Sequence, residues 1–118
     1  MDCESLFIDR DGIALVLRNL LDNAIKFTKN NPNPKITFKC KTDESKATIS
    51  ISDNGVGFDS KFHKQIFDIF ERLHLPEEYP GTGIGLALVK KTMERFGGNV
   101  YAESQIGVGS TFYLEIPL

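Results

Sequence analysis

The sequence predicts an α+β protein, a two-layer α/β sandwich with about three helices packed on one face of a mixed, mostly antiparallel sheet. Three observations support this: an amphipathic helical pattern near the start, two pairs of strand-like segments, and the order β-α-β-β-α-loop-α-β-β. That order places helices between hairpins, which excludes a doubly wound parallel sheet. With 118 residues, 41% of them hydrophobic and 25% charged, the chain suits a single globular domain over residues 1–118.

The first half of the chain contains a strand, a helix and a hairpin. Residues 5–8 (SLFI) predict a short strand. Residues 13–29 predict a helix, because Leu17, Leu20, Leu21, Ala24 and Ile25 recur at helical spacing before NNPNP ends the pattern. Residues 35–41 and 47–52 alternate in polarity on either side of TDESK, which predicts an antiparallel hairpin.

The second half repeats the alternation of helix and hairpin. Residues 61–70 (KFHKQIFDIF) predict a short helix, and the prolines and glycines of residues 73–83 predict a loop. Residues 84–96 predict a helix that Gly97 and Gly98 terminate. Residues 99–104 and 110–117 predict the last two strands.

Charge and apolar patterning exclude several classes of function. A net charge of -2 provides no general attraction to nucleic acid or anionic membranes, so any phosphate site must be local. The sequence contains no apolar run long enough for a membrane helix, which predicts a cytoplasmic domain without direct membrane contact, although a parent protein can be anchored. Cys3 and Cys40 are far apart and form no metal-binding pattern, so we expect both to be reduced.

One face of the first predicted helix is unusually polar. At about 100° per residue, Asn19, Asn23, Lys26 and Asn30 fall within about 60° of one another, roughly opposite the apolar positions. Such a stripe can simply be solvated. It also suits Mg²⁺ beside a triphosphate, because an amide oxygen is a hard ligand that adds no negative charge and a lysine can hold a phosphate.

Three glycine-rich segments accompany this helix: DNGVGF (53–58), PGTGIGLA (80–87) and IGVGST (106–111). Glycines allow a close approach to a ligand, and the second segment opens a predicted helix, whose N-terminus favours phosphate. Neither a Walker A motif nor GxGxxG after a strand is present. Asp53, at a strand end, can accept a hydrogen bond from an exocyclic amine or can cap its own turn.

Taken in order, LRNLLDNAIKFT, DNGVGF, FDIF, GTGIGLALVKK and GVGSTF resemble the catalytic ATP-binding domain of sensor histidine kinases. This domain belongs to the GHKL superfamily and has the Bergerat fold. The resemblance extends from about Asp9 to the end of the chain. The stretch IFERLHLPEEYPGTGIGLALVKK is similar to kinases of the phytochrome-related and hybrid type.

The resemblance implies roles for individual residues. Asn23 would ligate Mg²⁺, with Asn19 near the phosphates and Lys26 contacting them. Phe27 would lie beside the adenine, whose amino group Asp53 would read. The other residues implied to bind the nucleotide are Gly55, Gly57, Phe58, Gly81, Thr82, Gly83, Gly85, Leu86 and Thr111.

The same resemblance implies a mobile ATP lid over about residues 71–79 and a phenylalanine box that includes Phe67 and Phe70. The phosphoacceptor histidine of the family, with its adjacent acidic residue, has no counterpart in this sequence. The implied function is to bind MgATP and supply the γ-phosphoryl group to a histidine on a separate phosphoacceptor and dimerisation domain. The phosphoryl group would then pass to a response-regulator receiver domain, in a two-component system or phosphorelay.

Three alternatives remain open within the superfamily. Hydrolytic relatives carry a glutamate base one turn before the magnesium asparagine, where this chain has Asn19, which cannot act as a base. Anti-sigma serine kinases resemble the chain and need no phosphoacceptor histidine. A nucleotide-dependent binding module would use the same motifs without catalysis.

Overall fold

The computed structural model describes residues 10–63, 65–67 and 85–117, and these form two α-helices and one four-stranded sheet. The helices are α1 (Arg10–Thr28) and α2 (Gly85–Arg95). The strands are β1 (Ile36–Thr42), β2 (Lys46–Asp53), β3 (Asn99–Gln105) and β4 (Gly109–Pro117). Two short 3₁₀ helices, Ser60–Phe62 and Gln65–Phe67, lie between β2 and α2.

The pairs among the four described strands are antiparallel, and their order across the sheet is β1-β2-β4-β3. The two central strands, β2 and β4, are therefore not consecutive in the chain. Their alternate residues are buried, as expected for strands with one covered face. Both helices pack on that inner face, where their apolar side chains join those of the strands in one core.

Helix α1 contributes Val16, Leu20 and Ala24 to the core, and all three are almost completely buried. Ile25, which the sequence places with the apolar set, is 52% exposed. It follows Ala24 by one residue, a rotation of about 100°, which carries its side chain to the outer side of the helix. The helix ends at Thr28, whose buried hydroxyl donates to the Ala24 carbonyl oxygen at 2.8 Å.

The β1–β2 hairpin turns at Asp43. The Asp43 carboxylate accepts hydrogen bonds from the backbone N–H groups of Ser45 at 2.7 Å and Lys46 at 2.9 Å. These donors hold the pKa of Asp43 below its ordinary value. At the same end of the sheet, on its outer face, the Lys46 ammonium pairs with the Glu115 carboxylate at 2.6 Å.

The structure confirms the α+β class, both hairpins and both long helices, in the predicted order. Within residues 61–70, the described part forms two 3₁₀ turns where the sequence predicted one helix. The predicted first strand at residues 5–8 lies outside the described residues. Cys40 is buried and disulfide-bonded, so the expectation of a reduced thiol, which rested only on compartment, is wrong for this residue.

Among the described residues, no helix is both long enough and apolar enough to cross a membrane.

Candidate functional site

Asp53 is the one buried carboxylate in the part of the chain that the structure describes. It lies at the end of β2 and is 9% exposed. One carboxylate oxygen accepts a hydrogen bond from the Gly55 N–H at 2.8 Å, and the Ser110 N–H is a second backbone donor to the carboxylate. Burial raises the pKa of Asp53 above its ordinary value, and the two N–H groups oppose this shift.

The loop after Asp53 is attached to α1 on one side. The Val56 N–H donates to the Phe27 carbonyl oxygen at 3.2 Å. A Cβ on Gly55 would lie only 2.5 Å from the same oxygen, so the backbones approach too closely for any side chain. This contact joins the C-terminal end of α1 to the segment that carries Asp53.

The same loop is attached to the β3–β4 hairpin on its other side. The Gly107 N–H donates to the Val56 carbonyl oxygen at 2.8 Å, and the Phe58 N–H donates to the Ser104 hydroxyl at 2.8 Å. Gly57 has a φ of 69°, and a Cβ there would lie 2.2 Å from the Gln105 carbonyl oxygen. The glycine loop is therefore fixed between a helix end and a hairpin.

The polar face of α1 presents amides that the fold leaves available. The Asn19 side-chain NH₂ donates to the Leu15 carbonyl oxygen at 2.9 Å, which leaves its amide oxygen as the outward acceptor. The Asn23 side chain is half-buried and makes no hydrogen bond to any described residue. Lys26 is exposed. All three precede Phe27, the residue whose carbonyl contacts the Asp53 loop.

The remaining predicted residues are placed as follows. Phe58 and Phe67 are buried in the core, where the Phe67 ring meets Phe112 edge to face at 6.3 Å between centroids. Gly85 begins α2, and the half-buried Leu86 packs against the core. Gly81, Thr82, Gly83, Phe70 and the predicted lid lie outside the described residues.

Thr111 does not share the inner face with Asp53. Its hydroxyl hydrogen-bonds the Ser52 hydroxyl at 2.9 Å, on the outer face of the sheet. Successive side chains of a strand point to opposite faces. Ser110, one residue earlier, is therefore the residue that the structure brings to Asp53, and it is 3% exposed. The signal was present in the sequence, because Ser110 shares its parity with Phe112, Leu114 and Ile116.

Asn54 is a further residue of the site, and the motifs do not indicate its role. Its side chain accepts from the Lys35 N–H at 2.8 Å and donates to the Asn33 carbonyl oxygen at 2.9 Å. Its own carbonyl oxygen accepts from the Asn31 side chain at 2.8 Å. Asn54 thus ties the segment that follows α1 to the glycine loop.

No group of three or more His, Cys, Asp or Glu side chains among the described residues could hold a metal ion. A cation held mainly by phosphate oxygens and water needs only one or two protein ligands. The unpaired amide of Asn23 has the chemistry of such a ligand, and the residues present therefore fit Mg²⁺ delivered with a nucleotide.

Residues 8–118 match the family described as histidine kinase-, DNA gyrase B- and HSP90-like ATPases. The chain belongs to this family. It is an ATP-binding catalytic domain of the kind found in two-component sensor histidine kinases. Its polar helix face and glycine-rich segments follow one another along the sequence in the order expected of that domain.

Individual proteins give the same result. The chain is 41% identical over 114 residues to the phytochrome-like protein Cph1 of Synechocystis, covering 97% of this chain and 15% of that relative. The mycobacterial sensor histidine kinase MprB superposes with a TM-score of 0.82 at 25% identity, covering 95% of this chain and 76% of that one. The catalytic domain of histidine kinase ThkA gives 0.77 at 31% identity, covering 92% and 69%. The chain thus spans a small part of the curated relative.

Proposed function

We propose that this domain binds MgATP and supplies the γ-phosphoryl group for phosphorylation of a histidine on a separate phosphoacceptor and dimerisation domain. The observation that carries the proposal is the Val56–Phe27 backbone hydrogen bond of 3.2 Å. This bond joins two parts of the site. The polar face of α1 carries amides and a lysine that suit phosphates, and the loop of Asp53 carries a carboxylate that suits the adenine base. A single nucleotide can bridge the two.

The adenine end of the nucleotide would be read by Asp53. A buried carboxylate held by two N–H groups keeps acceptor capacity for the exocyclic amine of adenine. Phe27 and Phe58 flank the glycine loop, and Gly55 and Gly57 keep it free of side chains at its two backbone contacts. We assign base recognition to these residues, together with Ser110 in the place first given to Thr111.

The phosphate end would lie along α1. Asn23 would ligate Mg²⁺, Lys26 would contact a phosphate, and Asn19 would lie near the phosphates through its free amide oxygen. Mg²⁺ bound with the nucleotide would neutralise phosphate charge. We further propose that Gly81, Thr82, Gly83, Gly85 and Leu86 complete the phosphate site.

Catalysis of this kind depends on positioning and charge neutralisation. The histidine nitrogen of the partner domain forms a bond to the γ-phosphorus, the bond from that phosphorus to the bridging oxygen breaks, and ADP leaves. Asn19 offers no base to activate water, so transfer is favoured over hydrolysis.

The proposal also concerns the fold and the surroundings of the domain. We propose that residues 1–118 form one domain. We propose a cytoplasmic location, a response-regulator receiver domain as the final acceptor, and no nucleic-acid partner.

Two measurements test the function. A fluorescent ATP analogue is titrated into the chain with and without Mg²⁺, and binding strengthened by Mg²⁺ is expected. The chain is then mixed with γ-labelled ATP and a separate phosphoacceptor domain. Acid-labile, base-stable label on that domain supports transfer to histidine. Acid-stable label would instead indicate a serine kinase, and absence of ATP binding would overturn the proposal.

A further inference from the structure

The Ser104 hydroxyl, on β3, is a junction of three hydrogen bonds. It accepts from the Phe58 N–H at 2.8 Å, donates to the Gly109 carbonyl oxygen at 2.9 Å, and bonds the Ser110 hydroxyl at 2.8 Å. A hydroxyl has one proton and two lone pairs. Since the proton goes to Gly109, the Ser110 hydroxyl is the donor to Ser104, and the capacity of Ser104 is filled.

Each of the three partners belongs to a segment that adjoins Asp53. Ser110 gives its N–H to the Asp53 carboxylate while its hydroxyl is held by Ser104. Gly109 packs against the Asp53 backbone so closely that a Cβ would lie 2.0 Å from the Asp53 carbonyl oxygen. Phe58 ends the glycine loop that begins after Asp53. The hydroxyl therefore fixes the loop and the start of β4 relative to each other.

Packing alone does not call for a hydroxyl at this position. Ser104 shares the inner face of β3 with Val100 and Ala102, which are buried apolar residues. Alanine would continue that row. Alanine cannot accept the hydrogen bonds from the Phe58 N–H and the Ser110 hydroxyl, and both donors would lose their partner.

We propose that Ser104 is a positioning residue for base recognition, holding Ser110 and the glycine loop so that the Asp53 carboxylate faces the exocyclic amine of adenine. The inference rests on the proposed role of Asp53. In this proposal Ser104 does not contact the nucleotide and acts through Ser110 and the glycine loop. Its effect should therefore appear as selectivity between bases, with the phosphate contacts unchanged.

The experiment compares ATP with inosine triphosphate. In inosine a carbonyl oxygen replaces the exocyclic amine of adenine, so the base cannot donate that hydrogen bond to the Asp53 carboxylate. Dissociation constants of both are measured with Mg²⁺ on the full 118-residue chain, for the wild type and for Ser104→Ala, Ser104→Thr and Asp53→Asn. Ser50→Ala is the matched control, because Ser50 lies on the opposite face of the sheet. Urea unfolding of each variant reports whether it is folded.

The wild type should prefer ATP, and Asp53→Asn should lose that preference. Ser104→Ala should reduce the preference about threefold to tenfold, the range of one or two hydrogen bonds, with little change for inosine triphosphate. Ser104→Thr retains the hydroxyl and should restore the preference. Ser50→Ala should match the wild type.

The contrary results are distinct. An equal loss of affinity for both nucleotides in Ser104→Ala would mean a general structural role and would overturn the inference alone. A wild type without preference would overturn the base-reading role of Asp53 and the inference with it. If Ser104→Ala does not fold, Ser110→Ala, which keeps the backbone N–H, replaces it, and an unchanged preference there would overturn the inference.

Discussion

Asp53 and Ser110 form the last pair of the central β2–β4 ladder, and the Ser110 N–H donates a hydrogen bond to the Asp53 carboxylate. One end of the sheet is thus shaped around a desolvated negative charge. Two backbone donors orient that charge without neutralising it, since an N–H group contributes a dipole and no net charge. The arrangement suits a carboxylate that serves as an acceptor for a ligand.

The raised pKa of Asp53 predicts a loss of ATP affinity on acidification. Protonation removes the negative charge and turns one carboxylate oxygen into a donor. Because burial raises the pKa of Asp53, the loss should begin at a higher pH than for an ordinary aspartate, whose pKa is about 4. Titrations of a fluorescent ATP analogue from about pH 8 to about pH 5 measure this. Asp53→Asn should bind weakly throughout and lose this component of the profile.

Asp43 provides the control carboxylate. It lies in the turn before β2, at the end of the hairpin remote from Asp53, and its pKa is lowered by backbone N–H donors. Asp43→Asn should leave the pH profile of binding unchanged. The same profile in wild type and Asp53→Asn would contradict the assignment.

The stability of the domain should respond to Asp53 with the opposite sign to that of a salt-bridged aspartate. The folded protein holds the Asp53 proton more tightly than the unfolded chain does. The free energy of unfolding should therefore fall as pH rises through the window between about 4 and the raised pKa. Urea unfolding of wild type and Asp53→Asn, compared across that window, isolates this component.

The unpaired amide of Asn23 predicts a specific dependence on Mg²⁺. Loss of a residue that orients a metal ligand typically lowers metal affinity about tenfold or more. Loss of the ligand itself should lower it at least as much. Asn23→Ala should accordingly lose the strengthening of ATP binding by Mg²⁺ and retain the binding seen without it. Asn30→Ala, at an exposed asparagine just beyond the C-terminal end of α1, is the control. An equal response of both variants would exclude Asn23 as the ligand.

Asn19 predicts a gain of hydrolysis when it is replaced by glutamate. A carboxylate there would provide the base that the amide lacks, and general bases typically contribute about a hundredfold or more. A single added carboxylate should provide only part of this effect, so we expect Asn19→Glu to raise phosphate release by about tenfold. Ala14→Glu, on the exposed side of α1, adds the same charge and should have no effect. No increase with Asn19→Glu would remove this explanation for slow hydrolysis.

Two glycines of one hairpin should differ in the cost of substitution by alanine. At Gly107, with a φ of 81° and nothing within 4 Å of a Cβ, the cost is conformational and about 1 kcal/mol. At Gly109 a Cβ would also meet the Asp53 carbonyl oxygen at 2.0 Å, and we expect about 3 kcal/mol. Urea unfolding measures both. Equal values would show that the close approach can relax.

Leu20 and Leu15 of α1 test the packing of the helix. Leu20 is fully buried, so Leu20→Ala should lower the free energy of unfolding by about 2–5 kcal/mol. Leu15 is 41% exposed, and Leu15→Ala should cost less than about 1 kcal/mol. A similar cost for both would mean that α1 is rotated relative to the described packing.

Local patterns in the sequence were enough to predict most of the elements. Alternating polarity placed both hairpins, and helical spacing placed α1 and α2, because these patterns depend on neighbours a few residues away. The pairing of β2 with β4 could not be obtained in this way, since it joins strands at opposite ends of the glycine-rich region.

The residues of the site divide in the same way, into those that local patterns indicate and those that depend on contacts between distant segments. Asp53 and the asparagines of α1 were named from residue type and motif order. The contacts of Asn54 and Ser104 were not, because each depends on segments that are distant in sequence meeting in the fold. The motif GVGSTF favours Thr111, whereas strand parity favours Ser110, so the sequence does contain a local signal for the residue beside Asp53.

The strand order has a consequence for how the chain acquires its structure. The central ladder needs β4, the last of the described strands in the sequence, and among those strands β3 pairs with β4 alone. Of the described strand pairs, only β1–β2 can therefore form before β4 has been synthesised, and the central ladder closes over a long sequence separation. A nascent chain that lacks β4 would leave one backbone edge of β2 unpaired, and chaperones or proteases could recognise that edge.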